Sequence, residues 1–315
     1  MYAVPDDFAS RPFHRAEAIA AGISRHVLQG PSFVRLHQGV YRHRLHVMSF
    51  ADEVAAARLA LPDQARTTGI TRIQELGIDF GPRRPLHFVI EGDHHLALDE
   101  VFLHRTLRCP PTDEGGVRAE AAWAAYCAEA RTIDAIKVGC VLANRRRLDL
   151  GLLEQLLTEE PWRRGVAEAR WVVGYLDERC VSLPEAEVLT MMRFAGLPEP
   201  DVNVPLQIDD RVLITPDFWF AAWRRAVEYE GSQHQTDRDQ YTCDIDRYAL
   251  YRRNGADYLQ VTKELARIPK ELMRRVHRLL VEGGYAGAEP DFEGTWLSLF
   301  LPLHDVVRPR VHRQR

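Results

Sequence analysis

The chain has 315 residues, 46% of them hydrophobic, so it is long enough for at least two domains with buried cores. Its net charge of −4 excludes a uniformly basic nucleic-acid coat and limits nucleic-acid binding to local patches. Five cysteines without a C-x-x-C pair favour a reducing compartment and argue against a structural zinc site. Because the sequence has no signal-peptide pattern and no membrane-length apolar run, we expect a cytoplasmic protein without a membrane partner.

Residues 10–45 follow the order helix, turn, helix and two strands, which is typical of a winged helix-turn-helix. Helices are predicted over residues 15–20 and, after the capping residue Ser24, over residues 25–29. Strands are predicted at residues 33–37 and 39–43. Six arginines accompany a single acid in this stretch, so it forms the local basic patch that the net charge of the whole chain conceals.

Two groups of side chains in this first domain are expected to contact duplex DNA. The residues on the second helix that would reach base edges are Arg25, His26 and Gln29. The residues on the wing that would bind phosphates are Arg35, Arg42 and Arg44. The alternative is a small solvated domain that makes protein contacts.

A motif in this region also carries a resemblance to a known family. The pattern F-x-R-A-x-A-x-x-x-G-I-S begins at Phe13, and G-V-Y follows at residues 39–41. This pattern resembles the N-terminal domain of the AbiEi family of abortive-infection type IV antitoxins, with His14 as a minor departure. The resemblance implies a DNA-binding transcriptional regulator, and it leaves open a toxin partner or a homodimer.

The middle of the chain, residues 49–165, predicts a mixed α/β domain that resembles the same antitoxins. Helices are predicted at residues 50–61, from residue 131, and at residues 148–157, with strands at residues 85–90 and 102–105. Arg131 and Asp134 are expected to pair at the start of a helix. The charged stretch from residue 159 to residue 170 contains Pro161 and is interpreted as a hinge into the last domain.

The last domain begins with a capping box, in which Ser182 and Glu185 precede an apolar helix over residues 186–194. Strands are predicted at residues 202–207 and 257–261, and a closing amphipathic helix at residues 269–280. Between them, residues 213–220 and 227–230 alternate between polar and apolar, which predicts an antiparallel hairpin.

The hairpin is expected to place three carboxylates, those of Asp217, Glu228 and Glu230, on one face. Neighbouring carboxylates repel and raise the pKa of one another, so they either point into water or surround a divalent cation. Magnesium suits the second case and would make an attacking water more acidic, which implies phosphodiester hydrolysis. Charged faces on edge hairpins are also common without any ion.

A second resemblance covers residues 182–280. Pro216-Asp217, Glu228-x-Glu230-Gly, His234 and a later Asp-x-x-Arg ending at Arg247 resemble the very-short-patch-repair-endonuclease-like branch of the PD-(D/E)XK nucleases. The resemblance implies Mg²⁺ or Mn²⁺ as cofactor. The residues that it implies as metal ligands are Asp217, Glu228 and the backbone carbonyl of Tyr229.

The same resemblance implies further roles around the acidic hairpin. Glu185 either completes the acidic site or serves only its capping box, and Glu187 would replace it if the helix were rotated. The lysine of the general E-x-K motif is absent, since Glu230 stands in its place, and His234 is the nearest substitute. Arg247 would contact phosphate or pair with Asp244 on its own helix.

The sequence therefore predicts an α/β multidomain protein in three parts and an extension. These are a winged helix-turn-helix at residues 1–48, the middle domain at 49–165, a PD-(D/E)XK mixed-sheet domain at 166–285, and an extension at 286–315 with a basic tail. The predicted function is Mg²⁺-dependent endonuclease action on duplex DNA. The alternative is an antitoxin-like DNA-binding regulator with an inactive nuclease fold, and action on RNA also stays open.

Overall fold

The computed structural model describes residues 4–209, 212–230, 251 and 255–308. Within these ranges the protein is a mixed α/β protein, and the chain divides into two compact units, residues 1–126 and residues 127–315. None of the helices in the described ranges is both long enough and apolar enough to cross a bilayer.

The first unit begins with a small helical domain that carries a three-stranded sheet. Its elements are α1 (Asp6–Ala9), β1 (Phe13–His14), α2 (Arg15–Ala20), α3 (Arg25–Leu28), β2 (Phe33–His37) and β3 (Val40–His43). The strands pair antiparallel in the order β1-β3-β2. The predicted helices and strands are confirmed, although α3 ends one residue earlier and β3 begins one residue later than predicted.

An aromatic core fixes these short elements. The buried residues that form it are Phe8, Phe13, Ala18, Ile23, Leu28 and Phe33. The hydroxyl of Ser24 accepts a hydrogen bond from the N–H of Val27 at 3.3 Å, so α3 begins at the predicted cap. Gly39 has a φ of +79°, and a Cβ there would lie 2.9 Å from Nε2 of His14, so the turn into β3 requires glycine.

The rest of the first unit packs a helix against a second sheet. Its elements are α4 (Phe50–Ala60), β4 (Arg66–Thr67), α5 (Gly69–Glu75), β5 (Leu86–Glu91) and β6 (Val101–Thr106), before α6 (Ala119–Cys127) leads into the second unit. β5 pairs antiparallel with β4 and parallel with β6. Val54 and Ala57 of α4 pack with Phe88 and Ile90 of β5 in one core cluster. The predicted helix and both predicted strands are confirmed.

The second unit opens with four helices. These are α7 (Thr132–Asn144), α8 (Leu150–Glu159), α9 (Val166–Val172) and α10 (Leu183–Phe194). α7 is buried from Thr132 to Ala143 and packs along α10. The stretch interpreted as a hinge contains the beginning of α9, in which Val166, Ala169 and Val172 are buried.

A four-stranded mixed sheet follows α10. Its strands are β7 (Asp201–Val202), β10 (Phe218–Phe220), β11 (Arg225–Tyr229) and β12 (Asp257–Val261), in the order β12-β11-β10-β7. β10 pairs antiparallel with both β7 and β11, whereas β12 runs parallel to β11. The strand predicted at residues 257–261 is confirmed in full.

Two predicted strands are each interrupted. β8 (Leu206–Asp209) and β9 (Val212–Ile214) form a separate hairpin, so the strand predicted over residues 213–220 changes from one sheet to another. Pro216 lies at the break and has no N–H to donate to a ladder. The strand predicted at residues 202–207 is interrupted at Asn203, whose φ is +52°.

Helices complete the second unit. They are α11 (Lys263–Ala266), α12 (Pro269–Glu282), α13 (Thr295–Ser298) and α14 (Leu303–Val307). The predicted amphipathic helix is confirmed as α12, whose buried face consists of Leu272, Met273, Val276, Leu279 and Leu280. The extension packs into this unit through Trp296, Leu299 and Leu303, all of which are buried. Residues 309–315 of the predicted basic tail lie outside the described residues.

Candidate functional site

The predicted hairpin forms and brings Asp217 to Glu228. Phe218 of β10 lies opposite Val227 of β11, and Asp217 and Glu228 are the next residues beyond this pair on the two sides of the hairpin. Oδ2 of Asp217 accepts a hydrogen bond of 2.7 Å from the backbone N–H of Tyr229. The 3-10 turn at Ala221–Trp223 closes the hairpin. The half-buried carboxylate of Asp217 is therefore oriented by the strand that carries Glu228.

Glu228 is buried, with 8% of its surface exposed, and a tyrosine holds its carboxylate. The fully buried Tyr251 donates its hydroxyl to Oε1 of Glu228 at 2.7 Å. Tyr251 shares a small core cluster with Ile214, Trp219 and Ala226. Since a hydrogen bond to a charged group contributes about 1.5–3 kcal/mol, this contact fixes the orientation of the carboxylate.

Replacing Tyr251 by phenylalanine is expected to lower the free energy of unfolding by about 2 kcal/mol, because a buried carboxylate loses a donor. Urea unfolding followed by fluorescence measures this difference. Tyr285→Phe is the matched control, since among the described residues its hydroxyl makes no hydrogen bond. Equal stability of the Tyr251→Phe protein and the wild type would show that the Glu228 contact is not a structural requirement.

Tyr229 and Glu230 end β11 beside the end of β12. The N–H of Glu230 donates to the carbonyl of Val261 at 2.9 Å, and Tyr229 lies opposite Val261 in the parallel register. Burial raises the pKa of the Tyr229 phenol, and the negative charges of Glu187 and Glu264 raise it further. The phenol of Tyr229 therefore stays neutral around pH 7. The side chain of Glu230, which directly follows β11, is half-buried.

Glu185 serves both the helix start and the hairpin. The hydroxyl of Ser182 accepts from the N–H of Glu185 at 3.3 Å, which confirms the predicted cap. The buried carboxylate of Glu185 accepts from the Ser182 hydroxyl at 2.7 Å and from the N–H of Val181 at 3.1 Å. The Glu185 carboxylate also accepts a hydrogen bond of 2.9 Å from Nδ2 of Asn203. The backbone N–H of Asn203 in turn donates to the carbonyl of Asp217 at 3.0 Å. Asn203 therefore connects the start of α10 to the backbone of Asp217.

A buried lysine that was not predicted from the sequence binds Glu187, the other acid of α10. Nζ of Lys137 lies 2.6 Å from Oε2 of Glu187 and 3.1 Å from Oδ1 of Asp134. Arg131 pairs with Asp134 at 2.7 Å, as predicted. The available signal in the sequence was a single lysine among the otherwise apolar residues 135–143 of α7. Glu187 is thus engaged by Lys137.

The donor set at the hairpin matches magnesium in chemical type. Asp217, Glu228 and the carbonyl of Tyr229 offer only oxygen atoms, which hard divalent cations prefer. Among the described residues, Asp217, Glu228 and Glu230 do not form a set of three ligand atoms within 4.8 Å of one another. Magnesium usually takes only one or two carboxylates, and water and substrate phosphate complete its shell.

The predicted DNA-contacting side chains of the first unit are mostly exposed. The exposed ones are Arg25, His26, Gln29, Arg35 and Arg44. Arg42 is half-buried, and its Nη1 donates to the carbonyls of His43, Arg44 and His46 at 2.8–3.0 Å. Arg42 therefore also holds the turn that follows β3. His234 and Arg247 lie outside the described residues.

Comparisons with known proteins give partial relatives only. No family model matches the chain, and no solved structure gives a significant match. It is similar to two proteins of Mycobacterium tuberculosis, uncharacterized protein MT2308 of strain CDC 1551/Oshkosh and uncharacterized protein Rv2248 of strain H37Rv. Each is 28% identical over 136 residues, which is 43% of this chain and 50% of the relative. The chain thus spans about half the length of the curated relatives it matches, and their names state no activity.

Proposed function

We propose that this chain is a DNA-binding protein whose second unit hydrolyses phosphodiester bonds of duplex DNA with Mg²⁺ or Mn²⁺. The observation that carries the proposal is the position of Asp217 and Glu228 on the two sides of one hairpin, where Oδ2 of Asp217 accepts a 2.7 Å hydrogen bond from the N–H of Tyr229. Two acids on adjacent strands are suited to hold a divalent cation between them.

The architecture of the first unit supports DNA binding. Helix, strand, two helices and two strands follow each other, and the first strand pairs with the last in the order β1-β3-β2. This order fits a winged helix-turn-helix, in which the second helix of the pair enters the major groove. The exposed Arg25, His26 and Gln29 of this segment offer donors and acceptors to base edges.

The topology of the second unit supports a restriction-endonuclease-like domain. A helix is followed by three antiparallel strands of one sheet and by a fourth strand parallel to the third, namely α10, β7, β10, β11 and β12. These elements fit the order helix, strand, strand, strand, helix that the PD-(D/E)XK resemblance implies, and the second helix, predicted over residues 237–251, lies outside the described residues except for Tyr251. Asp217 directly precedes the second strand of this order and Glu228 lies on the third, the positions that the resemblance implies for the acids of the motif.

Each residue of the site has a definable task in the proposed reaction. Asp217, Glu228 and the Tyr229 carbonyl would hold the ion, which when bound polarises a phosphoryl oxygen and acidifies a water. The N–H of Tyr229 orients Asp217, and the Tyr251 hydroxyl orients Glu228. Glu185 acts through Asn203 on the Asp217 backbone and is a positioning residue. His234 is the sequence candidate for the positive group that the absent lysine would provide.

A second function, an antitoxin-like DNA-binding regulator with an inactive nuclease fold, is favoured by two specific observations. Glu230 occupies the position of the motif lysine, so no ammonium stands there to stabilise an attacking hydroxide. The carboxylate of Glu228 is bonded to Tyr251 inside a hydrophobic cluster, a contact that a purely structural acid would also make.

Nicking of supercoiled plasmid by the purified full-length chain separates the two functions. We expect nicking in the presence of Mg²⁺ or Mn²⁺ and none in EDTA. The nicking activity should elute with the protein peak in gel filtration, because this co-elution excludes a contaminating nuclease. If neither metal gives cleavage while the chain still binds duplex DNA, the nuclease proposal fails and the regulator remains.

The DNA-binding part of the proposal has its own test. The double variant Arg35→Gln, Arg44→Gln, at two exposed wing positions, is expected to weaken duplex binding and to lower the slope of log K against log salt by about 2, since each lost phosphate contact removes about 0.9. Fluorescence anisotropy in EDTA measures the slope. An unchanged slope would exclude this face of the first unit as a DNA contact.

A further inference from the structure

A dense cationic surface covers α11 and α12 in the second unit. We call it the basic surface, and its members, all exposed, are Lys263, Arg267, Lys270, Arg274 and Arg278. Between residues 263 and 282 the acids are only three, Glu264, Glu271 and Glu282, and Glu271 is paired with Arg275 at 2.8 Å. Among the described residues, Lys263, Arg267 and Arg278 form no ion pair. These positive charges repel one another, so an anionic partner would stabilise them.

The basic surface has a regular geometry. Lys270, Arg274 and Arg278 recur every four residues, so they form a stripe on α12 with a rise of about 6 Å between neighbours. Nζ of Lys270 and Cζ of Arg274 lie 5.6 and 5.3 Å from the ring centroid of Phe292. The aromatic ring restrains these two flexible cations, which lowers the entropy cost of binding an anion.

The basic surface begins at the acidic end of the hairpin. The N–H of Glu230 donates to the carbonyl of Val261, and α11 starts two residues later at Lys263. The cations therefore extend from the strand end that carries Glu228 and Glu230 along the outer face of α12.

We propose that the basic surface of α11 and α12 binds the backbone phosphates of duplex DNA and holds the duplex next to the acidic hairpin. This inference rests on the proposed function, because it names the surface through which the same site would receive its substrate. A polyanion matches a row of cations at repeated spacing, and its binding releases counterions. Bare carboxylates repel phosphate, so a site of this kind requires cations nearby.

An anionic membrane is the other polyanion that such a surface could meet, and the structure of α12 disfavours it. Helices that lie on membranes insert an apolar face below the headgroups. The apolar face of α12, which includes Leu272, Met273 and Val276, is already buried inside the unit. Only the charged face is available to a partner, and contact through charge alone is characteristic of phosphate-backbone binding.

The test compares the full-length wild type with the double variant Arg267→Gln, Arg278→Gln. Neither side chain forms an ion pair within the described residues, so the fold should persist, which circular dichroism checks. Binding of a fluorescein-labelled 30-base-pair duplex is titrated with KCl in EDTA. We expect the slope of log K against log salt to fall by about 2. The matched control is Arg146→Gln, Arg147→Gln, which removes the same charge from exposed positions after α7 and should keep the wild-type slope.

The outcomes separate this inference from the proposed function. An unchanged slope in the Arg267, Arg278 variant, or an equal fall in the control, would overturn the basic surface as the DNA contact, even if the wild type nicks plasmid. A fall in slope confined to the Arg267, Arg278 variant would support the surface, even if the wild type shows no cleavage with Mg²⁺ or Mn²⁺. The same variant is also tested for binding to vesicles of anionic phosphatidylglycerol. If the wild type binds these vesicles, and the Arg267, Arg278 variant loses this binding but keeps its DNA binding, the inference is overturned in favour of a membrane.

Discussion

Replacing Asp217 by asparagine is expected to reduce metal-dependent plasmid nicking about a thousandfold. A metal ion supplies several kcal/mol of transition-state stabilisation, and each 1.36 kcal/mol is a factor of ten in rate. Asparagine keeps an oxygen that can accept the 2.7 Å hydrogen bond from the N–H of Tyr229, so the hairpin should keep its shape. The lost quantity is the negative charge that attracts the cation. The measurement is the initial rate of nicking at saturating Mg²⁺.

The control for this experiment is Asp201→Asn, the same chemical change at an exposed position of β7 in the same sheet. Its rate should equal that of the wild type. If the Asp217→Asn protein nicks plasmid as fast as the Asp201→Asn protein, Asp217 holds no catalytic ion, and the activity must belong to another part of the chain.

Replacing Asp177 by asparagine is expected to lower the free energy of unfolding at pH 7 by about 2 kcal/mol, because the buried carboxylate loses its charge beside two arginines. Asp177 accepts hydrogen bonds from Nη2 of Arg179 at 2.7 Å and from Nη2 of Arg193 at 2.8 Å. Burial raises the pKa of this carboxyl, but the bonds from Arg179 and Arg193 outweigh burial and hold the pKa at about 2. The pair joins the loop before α10 to the end of that helix.

The pH dependence of this effect has a definite sign. The folded-state pKa of Asp177 lies below its ordinary value of 3.8, so the ionised form stabilises the protein above that value, and this contribution is lost as the pH falls towards 2. This lowering of the Asp177 pKa corresponds to a contribution of about 2 kcal/mol to the free energy of unfolding. Urea unfolding should therefore show a constant difference between wild type and variant from pH 7 to about pH 4, and a smaller difference below.

Tryptophan fluorescence is a suitable signal, because every tryptophan except Trp123 lies in the second unit. Asp201→Asn again provides the control, since it makes the same chemical change at an exposed carboxylate of the same unit. A difference between Asp177→Asn and wild type that stays constant down to pH 2 would contradict the assigned role of the arginines.

Local signals in the sequence were sufficient for the short elements and for the hairpin. Ser24 and Ser182 begin α3 and α10 as predicted, because a cap acts over three residues and is visible in the sequence. The alternation in residues 227–229 predicted β11 and its pairing with β10. The alternation through residues 213–220 was misleading, since Pro216 interrupts the ladder, and a proline in a predicted central strand is itself evidence against that strand.

The long-range contacts of the candidate site could not be predicted in the same way. Tyr251 reaches Glu228 across 23 positions, and Lys137 reaches Glu187 across 50, so no local periodicity encodes either contact. Helix α6 was also not identified, because it is buried on nearly every side and has no amphipathic pattern. The sequence therefore indicated which acids could act, but not the side chains that orient them.

Because a side-chain amide, that of Asn203, connects α10 to the hairpin, deamidation of this residue would break the connection. Its Nδ2 donates to Glu185 while its backbone N–H donates to the carbonyl of Asp217. Hydrolysis of this side chain to aspartate would replace a donor by a second carboxylate against Glu185, and the two acids would repel. A stored preparation in which this one amide deamidates would lose the connection between the helix start and Asp217 while keeping its secondary structure.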